Sequence, residues 1–194
     1  MSEDEAATRD EEGLVAVVLD VLPHGRTEDD RPQYQKQPLV YALGIEGFDL
    51  LECVVADTGD VAIGDRIDVQ ALDAVEHVNQ VDYDDLPSGA ASELDYAVED
   101  LVAAEEGRFV DFYNDAQPIT LRLHQLNLLP GIGKKLRNNI LDERERRPFQ
   151  SFRDLEERVS GLHNAEEVLV ERIIEELREE DLKYRTFVQR DDAE

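Results

Sequence analysis

Two glycines, Gly131 and Gly133, with a single aliphatic residue between them, constrain this chain more than any other feature. They sit in residues 120–147, TLRLHQLNLLPGIGKKLRNNILDERERR. The spacing predicts an amphipathic helix carrying Leu121, Leu123, Leu126, Leu128 and Leu129, with Thr120 as its N-cap. That helix runs into Leu129-Pro130-Gly131-Ile132-Gly133, and a second helix starts at Lys134-Lys135 and repeats Leu136, Ile140 and Leu141 inward. Glycine takes backbone conformations that other residues resist, so the segment turns tightly between two packed helices. The first amides of a helix have no partner within it. Here they point outward with the positive end of the helix dipole, where they favour an anion such as phosphate.

This segment resembles the helix-hairpin-helix motif of proteins that bind DNA without sequence preference. The resemblance implies a site made of Leu129, Gly131, Ile132, Gly133, Lys134, Lys135 and Arg137. Gly131 and Gly133 would present amides to a phosphate, and Ile132 would anchor the turn in the core. Lys134, Lys135 and Arg137 would add charge, with Arg144, Arg146 and Arg147 following the backbone of the ligand.

Charge tests that reading, because the chain is strongly acidic, with 47 Asp and Glu against 20 Lys and Arg and a net charge of -27. A polyanion binds nucleic acid only if its charge is segregated. Residues 121–160 hold nine basic residues against six acidic ones, so the hairpin lies in a locally positive stretch. The bland alternative is ion pairing along exposed helices. Scarce lysine and abundant carboxylate resemble the composition of an extreme halophile's proteins. In molar salt the Debye length falls to about 3 Å, which screens long-range repulsion. Counterion release then drives binding less, while directed amide-to-phosphate hydrogen bonds persist.

The chain before the hairpin reads in two parts. Residues 14–22, 39–45, 48–56, 66–70 and roughly 74–81 are β-branched or apolar runs between Gly-rich turns. Five strands without an intervening helix predict an α+β chain that opens with a closed, OB-like five-stranded β-barrel over 13–86. Such barrels bind single-stranded nucleic acid through aromatics and a basic face. Tyr34, Tyr41 and Phe48 are the few aromatics, and Arg31 and Lys36, in the polar loop 24–37, would be its cationic contributors. The single cysteine, Cys53, reads as a core residue and excludes an internal disulfide.

Residues 87–117 form a connecting helix and linker. The helix covers 89–106, with Leu94, Ala97, Val98, Leu101 and Val102 inward; Gly107 ends it, and Phe109 to Asn114 read as extended. Residues 118–188 form the helical domain. Ser151 with Asp154, and Asn164 with Glu167, read as capping boxes that open helices over 152–159 and 165–180. The helix–hairpin–helix pattern thus occurs twice. The second copy has Gly161 but His163 in place of a second glycine, and acidic Glu166 and Glu167 follow, so it reads as structural. Residues 1–12 and 189–194 read as acidic tails, the first disordered; it has neither the basic nor the apolar region of a signal peptide. No apolar run approaches the ~20 residues of a membrane span.

From about residue 13 to 188 the sequence resembles the archaeal Domain of Unknown Function 655. The carrying residues are Phe109 to Asn114, Thr120 to Lys135, and Lys183-Tyr184-Arg185-Thr186-Phe187-Val188. The resemblance implies a β-barrel with a paired helix-hairpin-helix unit, an association with nucleotide or nucleic-acid binding, and no settled activity. It also implies ribosomal and transcription proteins as company. No nucleotide-triphosphate loop, metal-spaced His and Cys cluster or catalytic pair stands out, so no enzyme, cofactor or metal is expected. The leading expectation is a cytoplasmic binder of DNA or RNA phosphates. The rival is a protein-interaction adaptor of the translation or transcription machinery, in which the hairpin only joins helices.

Overall fold

The structure, a computed structural model, describes residues 13–72 and 75–190. They divide into two compact units, 13–97 with 188–190, and 98–187. The division falls inside helix α1, Ser88–Ala104.

The first unit is a five-stranded antiparallel sheet: β1 Val15–Leu22, β2 Leu39–Gly44, β3 Leu50–Val55, β4 Arg66–Asp68 and β5 Val75–Gln80, in the order β4-β1-β2-β3-β5. Val18 pairs with Ala42, Ala42 with Leu51 and Cys53 with Val78. The expected closed barrel is not formed; the sheet is open. Its fourth strand stops after three residues because the Asp68 carboxylate accepts the Gln70 N–H (3.0 Å) and bends the chain into a 3-10 turn, Val69–Ala71. At the other edge, Glu76 to Gln80 are all exposed, and a polar edge resists further pairing.

Alternation along the strands sends Ala16, Val18, Val40, Ala42, Leu51, Cys53 and Val55 into one core cluster with Val69. Tyr41 and Leu43, on the opposite face, are buried as well. Cys53 is a core residue as expected, and burial pushes its thiol up to about 11, away from reactivity. The long polar loop is stapled to the sheet by Arg26. Its guanidinium donates to the Tyr41 hydroxyl (2.7 Å), to Glu52 (3.3 Å) and to the Asp85 carbonyl (2.6 Å). Arg31 is held by Asp29 (2.7 Å), and Lys36 donates to the Arg26 carbonyl (3.2 Å). Arg31 and Lys36 thus bind the loop itself.

The two expected tails fall largely outside the described residues, which leave out 1–12 and 191–194. Gln189 and Arg190 are not tail. The Gln189 N–H bonds the Gly47 carbonyl (2.8 Å), and Arg190 pairs with Asp82 (3.4 Å).

In the second unit, α1 is followed by α2 Glu106–Asp115, α3 Lys134–Arg146, α4 Phe152–Arg158 and α5 Ala165–Arg178. The inward stripe of α1 is buried throughout, from Leu94 to Val102. Gly107 does not end the helical region; it lies in α2. Nor is Phe109 to Asn114 extended. Phe109, Val110 and Tyr113 fall on one helical face and are buried. The helix expected over 121–129 shrinks to a 3-10 turn, Gln125–Leu128, with His124 as its cap. Thr120 caps a turn instead, its Oγ1 accepting the Arg122 and Leu123 N–H groups (3.2 and 3.0 Å). Ser151 caps α4 as expected, through the Asp154 N–H (2.9 Å), but Asn164 makes no side-chain cap on α5.

Candidate nucleic-acid interface

The turn between Gln125–Leu128 and α3 is built on two buried aliphatics. Leu129 is 1% exposed and Ile132 is 4%, and the Ile132 N–H closes the turn on the Leu129 carbonyl (3.2 Å). Gly131 sits between them at φ +78°, a conformation that demands glycine. Gly133 differs. It is the N-cap of α3 at φ -84° and ψ -170°, and a Cβ there would meet nothing within 4 Å. Neither strain nor packing requires a glycine at that position. Ser, Asp or Asn would cap the helix better. As it stands, the helix start has no side-chain cap. The first intrahelical bond runs from the Arg137 N–H to the Gly133 carbonyl (3.0 Å), which leaves the amides of Lys134, Lys135 and Leu136 without an intrahelical partner.

Asn127, which the sequence reading passed over, holds this turn in shape. Its Nδ2 donates to the Ile132 carbonyl (3.1 Å), while its Oδ1 accepts from the His124 N–H (3.2 Å) and from Arg137 (3.1 Å). His124 in turn accepts the Leu126 N–H on Nδ1 (3.1 Å). Burial, then Arg144 and Arg137, lower its pKa below the ordinary 6.5, which keeps that nitrogen an acceptor. The signal was present in sequence as His124 and Asn127 three residues apart, a capping-box spacing with unusual residues.

Leu129, Gly131, Ile132 and Gly133 line one open concavity of about 550 Å³, together with Asn127, Arg172 and Glu175. Lys134 and Lys135 are exposed at its helix start, and neither forms an ion pair among the described residues. Arg137 is half-buried on Asn127 and Asn138. Arg172 is not available to a ligand. It is 6% exposed and donates to Glu176 (3.0 Å), Glu175 (3.0 Å) and the Tyr184 carbonyl (2.6 Å).

The other basic residues of this stretch are mostly engaged inside the unit. Arg144 donates to the Tyr113 and Ala116 carbonyls at the end of α2 (3.1 and 2.9 Å). Arg158 does the same for Glu143 and Arg147 at the end of α3 (2.7 and 2.8 Å). Arg146 pairs with Glu143, Arg147 with Asp154 and Arg153 with Glu157. The expected track of Arg144, Arg146 and Arg147 is therefore tied up in caps and pairs. Among the described residues, Lys134 and Lys135 are exposed cations beside the turn that enter no ion pair, with Arg122 nearby in sequence.

The second hairpin repeats the backbone of the first. Gly161 lies at φ +94°, Leu162 is 1% exposed, and its N–H closes on the Val159 carbonyl (3.3 Å). Its helix start carries an anion of its own: the Glu156 carboxylate accepts the Ala165 N–H (3.0 Å). Burial, together with the carboxylates of Glu106, Glu156 and Glu99, raises the pKa of Glu166 beside it. One turn geometry thus occurs twice, once with open amides and two lysines, once with its first amide taken by a carboxylate.

Comparison with known proteins places this architecture in a group. Residues 12–189 match DUF655, described as a protein of unknown function. An uncharacterised protein of Methanocaldococcus jannaschii is 40% identical over 177 residues, spanning 89% of this chain and 78% of the relative. The crystal structure of Af1531 from Archaeoglobus fulgidus, assigned to the same family, has a TM-score of 0.80 and 37% identity, over 92% of this chain and 100% of that one. Among the described residues, no helix is long and apolar enough to cross a membrane.

Proposed function

Since the chain belongs to the DUF655 family, a family of unknown function, we propose its activity from its own geometry: it binds nucleic acid, DNA or RNA, by a phosphate seated on the amides that open α3. One observation carries this reading. Gly133 is a glycine that neither backbone nor packing requires, at an N-cap where a capping side chain would stabilise the helix. What glycine leaves is unobstructed approach to the open amides of Lys134 and Lys135, with two unpaired ammonium groups beside them. Phosphate contacts of this kind carry no sequence information, so binding is sequence-independent. The paired turns at Gly131 and Gly161 support a duplicated helix-hairpin-helix unit of which only the first copy takes a phosphate. The sheet is read as an OB-like barrel left open between β4 and β5, with no ligand assigned. A cytoplasmic, salt-adapted protein without catalytic activity is the setting that fits the composition.

Gly133→Asp tests this directly. Its backbone angles suit an aspartate N-cap, whose carboxylate would take the place of the phosphate. Fluorescence anisotropy with labelled duplex DNA, single-stranded DNA and a structured RNA, in high-potassium buffer, is expected to show binding by the wild type with a negative slope of log affinity against log salt. The variant should bind about tenfold or more weakly, the worth of one charge-assisted hydrogen bond, with no drop in its thermal midpoint. Undiminished binding by the variant would remove the hairpin as the site. No binding by the wild type to any of the three would favour an adaptor whose acidic surface meets a basic protein.

A further inference from the structure

Leu121 is 107% exposed, at the tip of a tight turn, where the sequence pattern had placed it in a helix core. An exposed leucine alone is ordinary. Its mounting is not. The arms of the turn are joined by the Gln125 N–H on the Gln117 carbonyl (3.0 Å) and by the Ile119 and Thr120 N–H groups on the Leu123 carbonyl (2.8 and 3.0 Å). Pro118 and His124 form an isolated antiparallel bridge. The Thr120 hydroxyl satisfies the amides of Arg122 and Leu123. The turn is also locked to the phosphate-binding hairpin: the His124 N–H bonds the Asn127 side chain, which bonds the Ile132 carbonyl. A rigid apolar point is therefore held in fixed register with the open amides. Arg122, exposed beside it, enters no ion pair among the described residues.

We propose that Leu121 is a wedge that inserts at a base step of double-helical nucleic acid, next to the phosphate held at Gly133. The proposal rests on the phosphate-binding reading above. Charge complementarity selects the partner. Arg122 beside this leucine, and Lys134 and Lys135 at the hairpin, enter no ion pair among the described residues in a chain of net charge -27, and they match the phosphates of a nucleic acid. An aliphatic side chain is a poor stacking platform for a single strand, where aromatics serve. It is a common wedge between stacked base pairs, which it unstacks from the groove.

The test uses the full-length protein, with 2-aminopurine in the middle of a duplex DNA and, separately, in the stem of an RNA hairpin. Anisotropy is measured on the same samples. Wild type is expected to raise 2-aminopurine fluorescence on at least one duplex. Leu121→Ala should still bind, within about threefold, while most of the fluorescence rise disappears; Leu121→Phe should restore it. The side chain is fully exposed, so the fold is undisturbed, which the thermal midpoint checks. Binding by wild type with no fluorescence rise, or an undiminished rise with Leu121→Ala, would overturn the wedge and leave the phosphate site standing. No binding at all would overturn both. A lower mass for Leu121→Ala than for wild type in sedimentation velocity would also overturn it, by assigning the leucine to self-association.

Discussion

Glu176 is fully buried in α5, and its carboxylate accepts from Arg172 Nε (3.0 Å), the Thr186 N–H (2.8 Å) and the Phe187 N–H (2.9 Å), while Arg172 also donates to the Tyr184 carbonyl (2.6 Å). The pair draws residues 184–187 back onto the helix, and Phe187 then packs on Phe112 at 4.8 Å. This accounts for the segment Lys183 to Val188, which the sequence marked only by resemblance. Removing one partner of a buried charged pair strands the other. Glu176→Ala is expected to cost about 3–5 kcal/mol, measured by denaturant unfolding. Glu176→Gln, whose amide oxygen still accepts, should cost less. Equal costs for the two substitutions would mean that charge, and not the acceptors, holds the segment.

The two hairpins are one element used twice, and their glycines separate by physical cause. Gly131 and Gly161 lie at φ +78° and +94°, where a Cβ strains the backbone. Nothing lies within 4 Å of a Cβ at Gly131, and the nearest atom at Gly161 is a Leu136 methyl at 3.7 Å, so strain is the whole effect at both. Gly131→Ala and Gly161→Ala are each expected to destabilise by about 1–2 kcal/mol in thermal or urea unfolding. A difference of more than about 1 kcal/mol between them would show that the two turns are not equivalent in solution. On the proposed phosphate reading, only the first substitution should weaken nucleic-acid binding, because Glu156 already takes the amide of Ala165 in the second turn.

Over the whole molecule, a net charge of -27 leaves the folded state working against its own repulsion. Raising KCl from 0.1 to 1 M contracts the Debye length from about 10 to about 3 Å. Relief of about 1–2 kcal/mol is expected, a rise in thermal midpoint of about 3–8 °C. A midpoint indifferent to KCl would mean that carboxylates are too dispersed for repulsion to matter. The internal engagement of Arg144, Arg147 and Arg158 bears on the same question. Most of the positive stretch serves helix ends and ion pairs, so the field around the hairpin is carried chiefly by Lys134 and Lys135. On the proposed reading, screening by salt costs the site little, since amide-to-phosphate hydrogen bonds are short and directional.

Local pattern determined much of this protein. Alternation in Val15–Leu22, Leu39–Gly44 and Leu50–Val55, the stripe of α1, the start of α3 at Lys134 and the Ser151 cap all lie within one element, where neighbouring residues decide the backbone. The turn at Gly131 was legible because a few consecutive residues fix it. Tertiary structure decided the rest. Whether five strands close depends on edges far apart in sequence, and Asp68 cut one of them short. Phe109 to Tyr113 has the aromatic, β-branched composition of a strand, yet burial of one helical face overrode it. Leu121 shared the apolar period of its neighbours, but the bridge from Pro118 to His124 turned it out to solvent. Asn127, Glu156 and Glu176 carry ordinary polar signals, and their roles exist only because the fold brings distant amides to them. A periodic pattern encodes which residues prefer burial; the packing of elements decides which of them obtain it.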